Sequence, residues 1–379
     1  MARRTALRRP VTRTRKPAPA PPREAPPEPP PEAAAEPPPV AAARPPFVAA
    51  LDVGYSNLKL LAGVPGETPV ETVLPAGAGP ATALPLRPGG GNPTLDGRRV
   101  DVDGVAWVAG VEPSRLRTLA RELHPDYPAT AEYRALVHAA LLAAGQEHID
   151  LLVTGLPVDQ WRDPARRAAL RERLTGSHLV APGRQVTVAA VDVLAQPTGA
   201  YLDLAAAELS ATQLLVAESR VLVVDSGFFS VDWALFDEGD LRVANSGTSQ
   251  AAMSVVLEAA GDLIRRDHGS GIGRDLLERA LRGGAATVPL FGRPVELAPY
   301  LLAAAKQTTQ AALTAVRQSL RDEQREVDLV LLAGGGAATY AEAARAAFPR
   351  ALVVVPAKPV LANVRGYWLH ASRPDAAPD

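Results

Sequence analysis

The chain has 379 residues, 40 basic and 41 acidic side chains and a net charge of −1, a balance that argues against a protein that coats nucleic acid along its surface. It has no cysteine, which removes a disulfide framework, a thiolate zinc site and a cysteine nucleophile at once. Its 47% hydrophobic content is enough for two domains with sizeable cores, and charges interrupt every apolar stretch before it reaches the ~18 residues that a membrane span needs.

Residues 1–46 hold 15 of the 37 prolines and nine basic side chains against four glutamates, and Phe47 is the first aromatic residue. That composition predicts a disordered, partly extended basic tail. Its start (Arg3, Arg4, Arg8, Arg9, Arg13, Arg15, Lys16) lacks the apolar stretch and cleavage site of a secretory signal, which points to a cytoplasmic protein. The tail is either a solubilising leader or the one part of the chain suited to touching DNA or a partner directly.

From Phe47 the pattern alternates strand and helix. A strand at 47–52, a turn and a return strand at 58–64 predict a hairpin with a polar tip. A second hairpin is signalled by 99–101 and 105–108 around Asp103-Gly104, followed by an amphipathic helix at 130–144 and a buried strand at 149–154. Pro164 opens a helix, a strand spans 185–193, and a helix starts near Thr198. The opening theme then recurs: a strand at 220–225 ends in Asp225-Ser226-Gly227, turns at 228–230 and returns at 231–236, with a third strand near 241–244. Two strands that each end in Asp-x-Gly and feed a hairpin predict two related α/β halves. Helices at 251–267, 273–281 and 299–322 make an all-helical block that looks inserted before a strand at 327–333. Gly334-Gly335-Gly336, a helix at 339–347, a strand at 352–355 and a last helix from Pro359 close the chain.

A nucleoside triphosphate held between two facing hairpins needs backbone N–H groups aimed at phosphate oxygens with no side chain in the way. Gly54 and Gly227 supply that freedom. Asp52 and Asp225 end the two first strands, where the pair can hold Mg²⁺ through its water shell, since that ion keeps several waters. Lys59, on the return strand, can extend its ammonium back over the phosphates as a point charge. Gly334, Gly335 and Gly336, between a buried strand and a helix, can let a purine or ribose lie against bare backbone. Each feature alone is common; their order and spacing carry the reading.

On these residues the chain resembles the actin-like ATPase superfamily over nearly all of residues 47–371. The first phosphate motif resembles Leu51-Asp52-Val53-Gly54-Tyr55-Ser56-Asn57-Leu58-Lys59, the second Val224-Asp225-Ser226-Gly227-Phe228-Phe229-Ser230-Val231-Asp232, and the adenosine motif Leu332-Ala333-Gly334-Gly335-Gly336. Val193-Leu194-Ala195-Gln196-Pro197-Thr198-Gly199-Ala200 resembles the first connecting helix, which by resemblance gives Gln196 the positioning of the attacking water. Thr154-Gly155-Leu156-Pro157, residues 225–233 and 246–253, and Ala362-Asn363-Val364-Arg365-Gly366-Tyr367 look most like the plasmid-partition branch, the ParM/StbA family, and within it the PRTRC system protein D group.

The resemblance implies an α/β, actin-like (ribonuclease H-like) fold: domains at 47–195 and 196–371 around a nucleotide cleft, a mostly helical subdomain at about 247–325, and a short tail at 372–379. It implies ATP and Mg²⁺ as ligands. Catalytic roles fall to Gln196, Asp225 and Asp52, and the two aspartates hold Mg²⁺ through water. Nucleotide contacts fall to Gly54, Tyr55, Ser56, Asn57, Lys59, Ser226, Gly227, Phe228, Phe229, Gly334, Gly335 and Gly336. The implied partners are further copies in a head-to-tail filament and a DNA-binding adaptor, with no membrane. Phe228 and Phe229 depart from the family pattern, where a second small residue is common. Either their side chains turn away and leave backbone facing the γ-phosphate, or the site is slow or inactive.

Two rival functions are a nucleotide-binding scaffold with little turnover and a small-molecule kinase, for which Asp159 or Asp192 would have to activate a hydroxyl. The histidines lack metal-ligand spacing, and Trp107, Trp161, Trp233 and Trp368 are expected in cores rather than stacked on bases. Asp232 is open to a turn role or an ion contact.

Overall fold

The computed structural model describes residues 44–84, 97–116, 126–207, 216, 218–321, 323 and 325–374. The basic tail expected at 1–46, up to residue 43, and the last residues of the expected C-terminal tail, 375–379, lie outside the described residues.

The first half opens with β1 (Val48–Val53), β2 (Asn57–Gly63) and β3 (Val70–Pro75), an antiparallel meander. β4 (Gly77–Pro80), β5 (Arg98–Val102) and β6 (Val105–Val111) form a small separate sheet. Helix α1 (Ala131–Ala144) starts where the Thr130 hydroxyl accepts from the Tyr133 N–H at 3.2 Å, and stops at Gly145 with φ of 74°. There follow β7 (His148–Ile149), β8 (Leu151–Leu156), α2 (Val158–Trp161), α3 (Pro164–Leu174), β9 (Gly176–Ala181), β10 (Arg184–Val188), β11 (Val191–Ala195) and α4 (Gln196–Ala205). β8 and β11 join the meander in parallel, giving a five-stranded sheet in the order β11-β8-β1-β2-β3.

The second half repeats this plan. β12 (Arg220–Ser226), β13 (Val231–Asp237) and β14 (Asp240–Ser249) form a meander, and then come α5 (Met253–His268), α6 (Arg274–Arg282), β15 (Thr287–Leu290), β16 (Arg293–Glu296) and α7 (Ala298–Ser319). β17 (Leu329–Ala333), α8 (Ala337–Ala347), β18 (Leu352–Val354) and α9 (Ala362–Ala371) complete it. The sheet order is β14-β13-β12-β17-β18, again a meander followed by two parallel strands. The central strands β1 and β12 are buried along their whole length, which is why both read as near-continuous apolar runs up to their aspartates.

Helices α4 and α9 follow the last strands of the two sheets and cross at two glycines. A methyl on Gly366 would overlap the Gly199 carbonyl, and one on Gly199 would overlap the Asn363 backbone, so the helices meet backbone to backbone. Val364, Tyr367 and Trp368 of α9 also share a buried cluster with Val48, Ala50, Leu151 and Val153, so this last helix packs on the first sheet.

Strands β3, β4 and β9 fall where the sequence suggested no element, and two segments that carried an expectation differ from it. Residues 185–193 are not one strand: β10 pairs with β7 and β9, while β11 pairs with β8. The apolar alternation slips by one residue between Val186/Val188 and Val191/Val193, and that slip sends the two pieces to different sheets. The block expected to be all-helical also contains the β15–β16 hairpin, turned by Phe291 and Gly292 at φ of 50° and 75°. Pro289 and Pro294, paired across it, hide the strand signal.

Candidate functional site

Strand register builds the first loop. Asp52 lies directly opposite Lys59, and the ammonium sits 2.8 Å from the Asp52 carboxylate, with both side chains largely buried. The Gly54 N–H donates to the Asn57 carbonyl at 3.0 Å, and in the second loop the Gly227 N–H donates to the Ser230 carbonyl at 2.9 Å. The loops therefore share one turn, offset by the same step from their aspartates. What differs is the residue opposite: Asp225 faces Asp232, where Asp52 faces Lys59.

Two opposed carboxylates repel. Asp232 is held by the Val158 N–H at 2.8 Å and the hydroxyls of Ser230 at 2.6 Å and Thr248 at 2.5 Å, so it ties the second hairpin to the start of α2. Burial raises its pKa and these hydrogen bonds oppose the rise. Its role is that of a structural bridge. Asp225 is also buried; burial first, and the charge of Asp52 next, push its carboxyl up to about 7, against a hydrogen bond from the Asn363 amide at 2.6 Å.

β17 runs beside β12 so that Ala333 lies next to Asp225, and the chain then turns at Gly334 with φ of 82°. A methyl there would overlap Asp225 Oδ1, which only glycine avoids. The Ser226 hydroxyl donates to the Ala333 carbonyl at 2.9 Å and its own carbonyl accepts from the Gly336 N–H at 2.9 Å, stitching the second loop to the glycine turn. Ser226 thus lies behind the loop, fully buried. A methyl on Gly335 would meet nothing within 4 Å, so the turn is open at its centre.

The paired phenylalanines part company. Phe228 packs among Val256, Leu257 and Ile264 of α5, with the Arg274 guanidinium 5.8 Å from its ring centroid. Phe229 reaches the opposite loop, its ring 4.7 Å from that of Tyr55, which in turn stacks on Tyr127 at 4.3 Å. The two loops are in ring contact across the space between them.

That space is a cleft of about 350 Å³ lined by Asp52, Gly54, Tyr55, Ser56, Asn57, Lys59, Gln196, Asp225, Gly227, Phe228, Phe229 and Gly334, Gly335 and Gly336. Its size is that of a small-molecule site. Asp159 and Asp192 do not line it; Asp192 instead meets His370 at 2.8 Å.

Residues 50–199 match the family model described as the N-terminal domain of actin like proteins, and residues 223–344 match that of the archaeal actin homologue MreB-like C-terminal region. Ta0583, an archaeal actin homologue, superposes on 85% of this chain and 98% of its own with a TM-score of 0.67 at 20% identity. The chain has the actin-like fold.

Two further actin-like structures cover it equally well. A non-polymerisable quadruple mutant of pCBH ParM matches 85% of this chain and 97% of its own at 17% identity and a TM-score of 0.67. The 15-stranded ParM filament from Clostridium botulinum matches 85% and 98% at 15% identity and a TM-score of 0.64. Ta0583 is also known in complex with ADP. No curated protein matches the chain in sequence.

In this actin-like frame, all of the sequence-derived site residues except Ser226 line one cleft. Among the described residues no group of three or more His, Cys, Asp or Glu side chains is arranged to ligate a metal directly. Two buried carboxylates beside an unpartnered buried amide oxygen of Asn363 instead suit a hydrated divalent cation. Sequence reasoning missed Gly155, on which a methyl would overlap the Tyr367 hydroxyl and crowd Gln196. It also missed Glu278 and Arg282, which project from α6 into the cleft. Arg282 Nη1 meets both Glu112 carboxylate oxygens, at 2.8 and 2.9 Å, and Nη2 lies 2.7 Å from Glu278 and 3.4 Å from the Ser56 hydroxyl. The spacing of Glu278 and Arg282 on one helix face was the available signal; the partner Glu112, 170 positions away, gave none.

Proposed function

We propose that the chain is an actin-like ATPase of the cytoplasm that binds Mg-ATP between its two halves, assembles head to tail into filaments and hydrolyses ATP, serving plasmid or other DNA segregation through an adaptor protein. The observation that carries this reading is the convergence of Asp52, Lys59, Gln196, Asp225 and the Gly334 turn, drawn from both halves, on one cleft. The ADP complex of Ta0583 supports the nucleotide, and the ParM filament supports assembly. The segregation role, and the affinity to PRTRC system protein D, rest on the motif segments alone.

Each residue has a role in this reading. Backbone N–H groups of the two loops approach the phosphates, and Lys59 balances charge that develops on the bridging and γ oxygens. Asp52 and Asp225 hold the Mg²⁺ hydration shell, and the bound ion supplies charge neutralisation of the β- and γ-phosphates. Gln196, at the start of α4, orients a water for in-line attack. Glutamine accepts no proton at neutral pH, so its contribution is positioning and hydrolysis is slow in the free subunit. A head-to-tail contact that turns the halves and brings Gln196 into line raises turnover on assembly. Phosphate release per subunit should therefore climb with protein concentration; a rate that stays constant across the series contradicts assembly-linked turnover.

The contact of Phe229 with Tyr55 favours one alternative, a nucleotide-binding scaffold whose loops stay closed over the phosphates. Tight ADP and ATP binding with no phosphate release at any concentration would mark that case.

A further inference from the structure

At the base of the cleft lies a polar group that none of these roles uses. Asn363 stands in the first turn of α9 and is 5% exposed. Its amide nitrogen donates to Asp225 Oδ2 at 2.6 Å. In the ionised state that a bound cation favours, the Asp225 carboxylate only accepts, so this bond fixes which end of the amide is which and turns the carbonyl oxygen away from Asp225. That oxygen is buried and has no hydrogen-bond partner, although Asn363 lines the cleft. An orphaned buried acceptor is costly, and a chain free to move would relieve it. Here it is held: the Asn363 backbone lies against Gly199 at the crossing of α4 and α9, with no room for even a methyl between them.

The chemistry of the missing partner follows from its neighbours. Asp52, Asp225 and the Asn363 oxygen are all acceptors, and the Lys59 ammonium is already engaged by Asp52. A ligand that answers such a set must bring several donors and positive charge. A hydrated divalent cation does so, because it retains waters whose hydrogens point outward.

We propose that Asn363 is a positioning residue for a hydrated divalent cation: its carbonyl oxygen accepts a hydrogen from a metal-bound water, while its amide nitrogen aims the Asp225 carboxylate at the same hydration shell. The inference rests on the reading of the cleft as a metal-nucleotide site and adds to it a residue on α9. It also gives that helix a purpose beyond packing, since the backbone contact at Gly199 holds the amide at its post.

The test is a Mn²⁺ titration of the full-length protein saturated with ADP, with free Mn²⁺ read by electron paramagnetic resonance, beside a metal-free ADP titration. Asn363→Leu keeps the branched shape, removes the acceptor and, being larger, leaves no space for a substituting water. Asn363→Ala leaves such a space. The leucine variant should lose about tenfold or more in Mn²⁺ affinity, the alanine variant less, while metal-free ADP affinity stays within about twofold. Unchanged Mn²⁺ affinity in the leucine variant overturns the role, and so does an equal loss of ADP affinity with and without metal, which would mark a purely structural residue. Should the leucine variant fail to fold, the alanine variant carries the same comparison, and wild-type Mn²⁺ affinity in it overturns the role. A wild-type chain that binds neither ADP nor Mn²⁺ overturns this inference together with the nucleotide reading, whereas normal wild-type binding left intact by the substitutions overturns the inference alone.

Discussion

Asp52 and Asp225 hold equivalent places in two hairpins, yet one faces an ammonium and the other a carboxylate. The consequence is measurable in the nucleotide-free protein. Burial and then Asp52 push Asp225 from 3.8 up to about 7, so between those values the folded chain holds a proton that the unfolded chain has lost. The stability tied to this group is fully present below pH 3.8 and is lost as pH rises to about 7, on the order of 4 kcal/mol across the window. Asp225→Asn should flatten that slope and raise the Tm at pH 8, read by thermal melts over a pH series; an unchanged slope would contradict the assignment. Gly334 is constrained as tightly, by its positive φ and by the Asp225 oxygen against it. Gly334→Ala should cost about 2 kcal/mol and most of the ADP affinity, by melting and fluorescence titration; near wild-type values for both would show that the turn tolerates a side chain.

At the scale of elements, the site depends on contacts between segments far apart in sequence. Arg282 on α6 and Glu112 just after β6 form a clasp at the cleft, with about a quarter of each side chain exposed. A pair of that kind contributes up to about 1 kcal/mol, so Glu112→Ala should speed ADP release up to about fivefold in stopped-flow chase experiments, and an unchanged rate would mean that the clasp does not limit exit. The crossing of α4 and α9 is less forgiving. Gly366→Ala forces a methyl into the Gly199 backbone and should destabilise the chain by about 3 kcal/mol or more in chemical denaturation.

Local patterns announced many of these elements. Alternation and the Asp-x-Gly ends marked both hairpins, and Thr130 and Pro164 marked the starts of α1 and α3. The β15–β16 hairpin was hidden by its prolines, and the break between β10 and β11 by two alanines inside an apolar run. The seating of α9 on the first sheet, and with it the place of Asn363, has no local signature, because it is decided by packing across the whole chain.

At the scale of the molecule, the chain repeats one sheet plan twice and places its cleft between the repeats. That duplication was legible, since each half carries its own strand, aspartate and glycine turn. The fates of Phe228 and Phe229 were not: adjacent and chemically identical, one is drawn into the core of the inserted block and the other toward Tyr55. Among the described residues no helix is long and apolar enough to cross a membrane.

If the cleft couples ATP to assembly, sedimentation and phosphate release measured on the same sample must rise together. Wild-type protein with Mg-ATP should pellet above a threshold concentration and release phosphate as it does so, pellet less with ADP, and lose both behaviours in Asp225→Ala. Protein that binds nucleotide yet stays in the supernatant with Mg-ATP at every concentration would contradict the account.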